Sequence, residues 1–301
     1  MFKINFNLKR NFLVLTTVLM YSFASAQVEN EKNKDTEKEK FELLTLRKLQ
    51  FAVDVVYPNL SRGILLNSER IAFQPTLDYN FTKKLSVGFW ATTNFSNDAT
   101  AYNEFDFTVS YQLLPYLIVE LGDYYSPATK ENNEVYGGYR TPFLDFDIYS
   151  SQILELCFDF DFSSKGIPID FQWNTVIYGN DFKDVVKDSQ GNVVSKKRAF
   201  SSYSEVGYTY TTNKYDFRFR PFVGAAVIND AGYYGYYRNG KTGFSFINVG
   251  LNISKDFNII KKYPLPMFIQ YTYNEDGNYN ADRTKLKFNF ISAGITFNIL
   301  K

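Results

Sequence analysis

The sequence predicts an all-β fold: an antiparallel up-and-down barrel of about twelve strands that spans a membrane. From about residue 47 onward, apolar and polar residues alternate, mostly in runs of ten or more. Strands of soluble proteins centre on five or six residues, whereas a tilted membrane-spanning strand needs roughly 9 to 11. About twelve such runs follow one another, an even number, as in bacterial single-chain barrels. Short and long links between them alternate, which is the layout of periplasmic turns and outer loops.

An export signal precedes the alternating runs. Basic residues near the N-terminus are followed by the apolar stretch FLVLTTVLMYSF and by an A-x-A cleavage motif that ends at Ala26. Residues 1–26 are therefore predicted to be a signal peptide, cleaved between Ala26 and Gln27. Residues 27–45 are almost wholly charged or amide and predict a disordered periplasmic leader, with a short helix as the alternative. Residues 46–301 are predicted to form the outer-membrane barrel.

Charge and composition exclude several functions. The chain has 33 basic and 32 acidic residues, and removing the three bases of the signal leaves 30 against 32, which argues against a nucleic-acid surface. Histidine is absent and Cys157 is the one cysteine, so catalytic triads, Cys-His pairs and the usual zinc sites have no residues to form them. The sequence therefore predicts a protein that is not an enzyme and that has no cofactor.

The stretch NEFDFTVSYQL, residues 103–113, shows how the two faces are assigned. Phe105 and Phe107 share one parity with other apolar residues, and Glu104 and Asp106 share the opposite parity with Ser110. Hydrocarbon offers no partners to polar groups, so the apolar face is predicted to meet lipid and the polar face a wet lumen. Glycines, whose missing Cβ relieves crowding inside a narrow barrel, fall on the lumen parity at 88, 122, 207, 224, 250 and 294.

Charged residues on the lumen parity are unevenly distributed. If acids and bases face each other across an open lumen, they create a transverse field, and the acidic excess favours cations. Alternatively, the charges pair with one another and fill a closed interior, because roughly eight strands leave a packed barrel and sixteen an open channel. The acids on the first seven strands are Asp54, Asp78, Glu104, Asp106, Glu120, Glu155, Asp159, Asp161 and Asp170, and the bases on the ninth are Arg218 and Arg220.

Aromatic residues supply two further candidates. Trp90 lies on the lumen parity, where it could narrow the pore or form a sugar platform, although packing over Gly88 is the preferred interpretation. The outer loop 230–243 contains a cluster of tyrosines that includes Tyr233 and Tyr234. These tyrosines could bind a glycan or a partner, but the preferred interpretation is that the loop folds inward or that the tyrosines extend the girdle of aromatic side chains at the membrane interface.

A further strand is predicted over residues 143–162, where the alternation is long.

The first strands also resemble a known family. Ser61-Arg62-Gly63, Gln74 with Leu77-Asp78-Tyr79, Gly88-Phe89-Trp90-Ala91 and Glu104-Phe105-Asp106 are similar to the opening of the TorF-type porin family, which shows an RG, a Q-x-x-x-D-Y, a G-x-W-A-S and an E-x-D step at similar spacing. Thr92 departs from the W-A-S pattern, and Leu300-Lys301 lack the terminal aromatic that such barrels generally have. The resemblance implies an outer-membrane channel and does not identify a solute.

Two functions follow from these patterns. The first is a porin-like channel for passive diffusion of small polar or cationic solutes, with the lumen charges as the screen and the lipid bilayer as the surrounding partner. The second is a non-conducting barrel that binds or scaffolds through its outer loops 126–142, 180–199 and 229–243. A barrel hydrolase would need the histidine that this chain lacks.

Overall fold

The computed structural model describes residues 48–66, 69–96, 101–127, 142–148, 150–234, 243–260, 263–279 and 286–300. The predicted signal peptide, its cleavage site and the leader lie outside the described residues. None of the described residues belongs to a helix with the length and apolar character needed to cross a membrane.

The described chain is built from strands and one short 3-10 turn, at Phe162–Lys165. The strands are β1 Leu49–Tyr57, β2 Leu60–Ser61, β3 Ile64–Leu65, β4 Ala72–Asn80, β5 Leu85–Thr93, β6 Asn103–Leu114, β7 Leu117–Tyr125, β8 Gln152–Asp161, β9 Ile169–Gly179, β10 Phe182–Lys187, β11 Val193–Arg198, β12 Ser202–Tyr208, β13 Tyr210–Thr211, β14 Arg218–Ile228, β15 Ser245–Ile260, β16 Tyr263–Tyr279 and β17 Leu286–Leu300.

One antiparallel sheet closes on itself to form the barrel. Its order is β12, β9, β8, β7, β6, β5, β4, β1, β17, β16, β15 and β14, and β14 pairs with β12 to complete the ring. Because β12 and β13 both pair with β14 and are separated only by Thr209, they count as one wall strand. The fold is therefore a closed barrel of 12 transmembrane strands, as predicted. Closure leaves no unpaired sheet edge in hydrocarbon.

The two faces of β6 confirm the assignment made from its alternation. Phe105, Phe107 and Val109 are exposed on the outer face, with 46% of Phe107 accessible, whereas Asp106 between them is buried. Short turns join β4 to β5, β6 to β7, β8 to β9 and β13 to β14, and longer segments leave the opposite end of the barrel. We call these the short-turn end and the long-loop end, and the sequence assigns the short-turn end to the periplasm.

Residues 142–148 correct one predicted strand. β8 begins at Gln152 rather than at 143, and the preceding segment packs against the outer wall, where the Phe143 ring lies 5.3 Å from that of Tyr125. Its Leu144 backbone N–H donates to the Gln152 side chain at 2.6 Å, and the Gln152 amide donates to Asp123 at 2.8 Å. The alternation of apolar and polar residues continues through this segment. However, Asp123 and Gln152 face outward and are buried, and the segment satisfies Gln152 by covering the pair instead of extending β8.

The lumen glycines are covered by large side chains, which confirms the reason for their placement. The prediction that Trp90 packs over Gly88 is wrong, because the nearest atoms to a Cβ at Gly88 belong to Asp78 and Thr108. These residues pair directly with Gly88 from the two neighbouring strands and therefore occupy the space first. The other covering side chains are Tyr124 at Gly122, Arg220 at Gly207, Tyr203 at Gly224, Phe222 at Gly250 and Phe268 at Gly294.

Substituting Gly250 by alanine should destabilise the barrel. A Cβ there would meet both the Phe222 ring and the backbone carbonyl oxygen of Tyr271, and the carbonyl cannot move without breaking the ladder. We expect a loss of about 1–3 kcal/mol, the usual cost of overpacking, measured as a lower urea midpoint for unfolding from lipid vesicles. Val249→Ile on the neighbouring lipid-facing position is the control. A Gly250→Ala barrel as stable as this control would show that the lumen has slack at Gly250.

Candidate functional site

A short hairpin from the long-loop end lies inside the barrel. β2 and β3 pair Leu60 with Leu65, so the turn between them consists of Arg62 and Gly63 alone. Both turn residues have left-handed backbone conformations, with φ of 50° and 76°, as a two-residue type I′ hairpin requires. The Ile64 side chain packs against the buried cluster formed by Tyr203, Ala226 and Tyr234.

Two hydrogen bonds attach this hairpin to the adjacent wall. The Asn274 side-chain amide donates to the Gly63 carbonyl oxygen at 2.6 Å, and the Ser292 hydroxyl donates to the Pro58 carbonyl oxygen at 2.7 Å. Both donors are buried; Ser292 belongs to β17, which pairs with β1, and Asn274 belongs to β16, the next strand in the ring. The tip of the hairpin is thereby held in the lumen rather than in solvent.

From this tip, Arg62 reaches across the lumen to Glu155 on β8. Four strands separate β8 from β1 along the wall, so the contact spans the barrel. The two guanidinium nitrogens Nη1 and Nη2 donate to Oε1 and Oε2 of Glu155 at 2.7 and 2.6 Å. The Glu155 side chain is 1% exposed and that of Arg62 20%. A bidentate pair with this much burial is strong because solvent screens it little.

The loop after β14 supplies a second cover. Asn229 accepts a hydrogen bond from the Tyr234 backbone N–H and donates to the Tyr234 carbonyl oxygen, at 2.9 and 2.7 Å, which folds residues 229–234 back into the barrel. The Tyr234 hydroxyl donates to Glu155 at 2.7 Å. Burial raises the pKa of this hydroxyl well above its ordinary value, so it stays a donor. Tyr234 thus follows the predicted inward fold; most of the remaining loop lies outside the described residues.

We call the Leu60–Leu65 hairpin together with residues 229–234 the plug. Below it, a cavity of about 840 Å³ opens toward the short-turn end, and we call this cavity the chamber. Its lining includes Asp159, Asp170, Glu205 and Arg220. In the described part of the chain, side chains of the plug therefore cross the lumen toward the long-loop end, and the chamber lies toward the short-turn end.

The predicted arginines are paired with acids. Arg220 donates to Asp170 through Nε at 2.9 Å and to Glu205 through Nη2 at 2.9 Å, and Arg218 donates to Asp256 at 2.8 Å. Gly207 lies beneath the Arg220 guanidinium, so the side chain lies flat along the wall. Asp170 and Arg220 are therefore in direct contact along the wall, with one strand between theirs, as in the alternative in which the lumen charges pair with one another.

Several predicted acids lack such a partner. Within the described part of the chain, Asp78, Asp106 and Asp159 receive no hydrogen bond and form no ion pair, and Oδ1 of Asp106 is fully buried. Oδ1 of Asp54 is likewise buried without a hydrogen-bond partner in the described chain. Three other acids are held by neutral donors: Glu104 by the Tyr102 hydroxyl, Glu120 by the Ser110 hydroxyl and Asp161 by the Ser163 backbone N–H. Trp90 lies between Thr76 and Asp106 in the ladder and is partly exposed.

Sequence reasoning missed Arg62 and Glu205 as lumen residues. Glu205 has the parity of its neighbour Gly207, so the signal was present. Arg62 lies in a loop, where alternation gives no information about which way a side chain faces. The feature that could have identified it is the Arg-Gly pair, because Asn-Gly would be less strained at the same turn.

Comparison with known proteins identifies similar barrels. No family model matches the chain, and no curated protein does. Among solved structures, NanC porin has 12% identity and a TM-score of 0.43, with 82% of this chain and 98% of that chain covered. A FadL homologue of Pseudomonas aeruginosa has 9% identity and a TM-score of 0.38, covering 83% and 75%. OprD of the same organism has 13% identity and a TM-score of 0.33, covering 84% and 68%.

Proposed function

We propose that the protein is an outer-membrane channel for passive diffusion of small cationic solutes. The observation that carries this proposal is the imbalance of lumen charge. Arg62, Arg218 and Arg220 each have a carboxylate partner, whereas Asp78, Asp106 and Asp159 have none in the described part of the chain. Unpaired carboxylates in a narrow lumen attract cations and repel anions.

The chamber would hold a hydrated cation before it meets the plug. Asp159 contributes a carboxyl group without a partner in the described chain, and the Arg220 group sets one guanidinium against the two carboxylates of Asp170 and Glu205. A cation would then move along the carboxylates of β4, β6 and β8, each too weakly screened to be masked by salt. The solute would pass through the barrel chemically unchanged, by diffusion.

Reversal potentials in a salt gradient test the proposal. Purified protein in planar bilayers should show discrete current steps and a preference for potassium over chloride. The triple variant Asp78→Asn, Asp106→Asn and Asp159→Asn should lose most of this preference because it removes the unpaired charges. Asp184→Asn, in the exposed β10–β11 hairpin, is the matched control. Anion preference, or an unchanged potential in the triple variant, would contradict the proposal.

A second function, a barrel that binds without conducting, is favoured by the plug. The Arg62–Glu155 contact crosses the lumen, and the described residues of the plug pack together beside it. A folded, heat-modifiable barrel that gives no current would support this alternative, and deleting the β10–β11 hairpin should then abolish surface binding. The motif resemblance to TorF-type porins supports the channel instead, and we propose that the chain belongs to that family.

A further inference from the structure

The Arg62 guanidinium is held in the way that a bound ligand is held. Both oxygens of Glu155 accept from its fork, and its central carbon lies 5.7 Å from the ring centroids of Tyr203 and of Tyr234. A carboxylate in the plane of the fork and aromatic rings beside it are the two features by which proteins recognise a guanidinium. We call Glu155, Tyr203 and Tyr234 the cradle.

Arg62 Nη1 also donates to the Tyr234 hydroxyl at 3.2 Å, but each cradle residue has further contacts that do not involve Arg62. Glu155 is part of β8, and its oxygen also accepts from the Tyr234 hydroxyl. The Tyr203 hydroxyl donates to Glu205 at 2.7 Å, and Asn229 fixes the backbone of Tyr234. Removing the Arg62 side chain would therefore leave a shaped site with a carboxylate at its base.

Arg62 itself occupies a strained backbone position. Its φ of 50° is left-handed, a region that favours glycine, asparagine and aspartate and that strains other residues. Strain at a turn is retained where a side chain does something that the favoured residues cannot. Here that something is the delivery of a guanidinium to Glu155.

Further carboxyl groups lie near the cradle. Asp106 is buried and its Oδ1 has no hydrogen-bond partner in the described chain, and Glu104 accepts from the Tyr102 hydroxyl. Among the cradle residues, Glu155 is the one with a carboxylate, so it supplies the charge that a guanidinium meets there.

We propose that the cradle is a binding site for the guanidinium group of a small cationic solute, and that Arg62 occupies this site as an internal substitute. The solute and Arg62 exchange on Glu155, and the displaced Arg62 side chain leaves the carboxylate while Asn274 still holds the Gly63 carbonyl oxygen. This assignment deepens the proposed channel function by naming its solute class. A primary ammonium is a poorer occupant because it lacks the planar fork that matches both carboxylate oxygens.

Binding of methylguanidinium to the refolded full-length barrel tests the site without measuring current. Arg62→Asn empties the cradle and suits the turn, because asparagine tolerates the left-handed conformation. We expect millimolar methylguanidinium to raise the unfolding temperature of this variant and to bind it about tenfold more tightly than the wild type, in which Arg62 competes. Methylammonium should bind less tightly, and neutral acetamide should have no effect.

Two controls identify the site. Arg62→Asn combined with Glu155→Gln should lose methylguanidinium binding, because the carboxylate is gone. Arg218→Ala also removes the arginine of an ion pair, but its acid, Asp256, is half-exposed, and this variant should gain no binding. Equal binding to Arg62→Asn and Arg218→Ala, or binding of acetamide as strong as that of methylguanidinium, would overturn the assignment.

The proposal can also be tested if Arg62→Asn fails to fold. If Arg62→Asn does not fold alone, refolding in methylguanidinium should restore the heat-modifiable band, whereas equimolar sodium should not, and failure to restore it would overturn the assignment. Absence of current from the wild type would contradict the channel function but not the guanidinium site, if methylguanidinium still binds. Cation conduction without methylguanidinium binding would contradict the guanidinium site but not the channel function.

Discussion

Phe107→Arg should impair membrane insertion, at a cost of about 2–4 kcal/mol if the position lies near the middle of the bilayer. Phe107 is the fifth residue of β6, is 46% exposed, and packs with Phe89 on the outer wall at a ring distance of 5.1 Å. A guanidinium there would lose hydration and gain no partner. The folding free energy into vesicles, from urea titration of the heat-modifiable band, measures the loss.

The adjacent residue provides the matched control. Thr108 faces the lumen, where Thr108→Arg should fold with a much smaller loss and should reduce the preference for cations. Phe107→Leu keeps an apolar surface and should insert like the wild type. Equal losses for arginine at 107 and 108 would mean that both faces of β6 meet the same solvent, as in a water-soluble sheet.

The barrel wall could be predicted because its determinants are local. Alternation in a stretch such as NEFDFTVSYQL states which side chains share a face, and lipid requires a ladder without open edges. The strand predicted from residue 143 failed for the same reason. Alternation does not distinguish a wall strand from the segment that packs Phe143 outside the wall, because both place apolar groups on one side.

The contents of the lumen depend on contacts between residues far apart in the sequence. Arg62 and Glu155 are separated by 93 positions, and Tyr234 joins them from a further loop. Parity placed Glu155 inside the barrel but could not supply its partner, because a loop has no period. The choice between an open and a filled lumen was therefore undecided in the sequence, and the structure combines the two in a plug and a chamber.

Removing the Arg62 charge should be the most costly change in the lumen. Arg62→Met leaves Glu155, at 1% exposure, without a counter-charge, and loss of one partner of a buried pair typically costs about 3–5 kcal/mol. Glu155→Gln should cost less, because the Arg62 guanidinium is 20% exposed and can turn toward water. Urea unfolding from vesicles measures both losses.

The double variant separates the ion pair from the other contacts of the hairpin. Arg62→Met combined with Glu155→Gln removes both charges, so it should be more stable than Arg62→Met alone, with a coupling of about 0.5–3 kcal/mol between the two sites. Tyr234 can still donate to the glutamine oxygen that replaces the carboxylate. Strictly additive losses would show that the two charges contribute no stability through each other, and that each single loss arises from the other contacts of Arg62 and of Glu155.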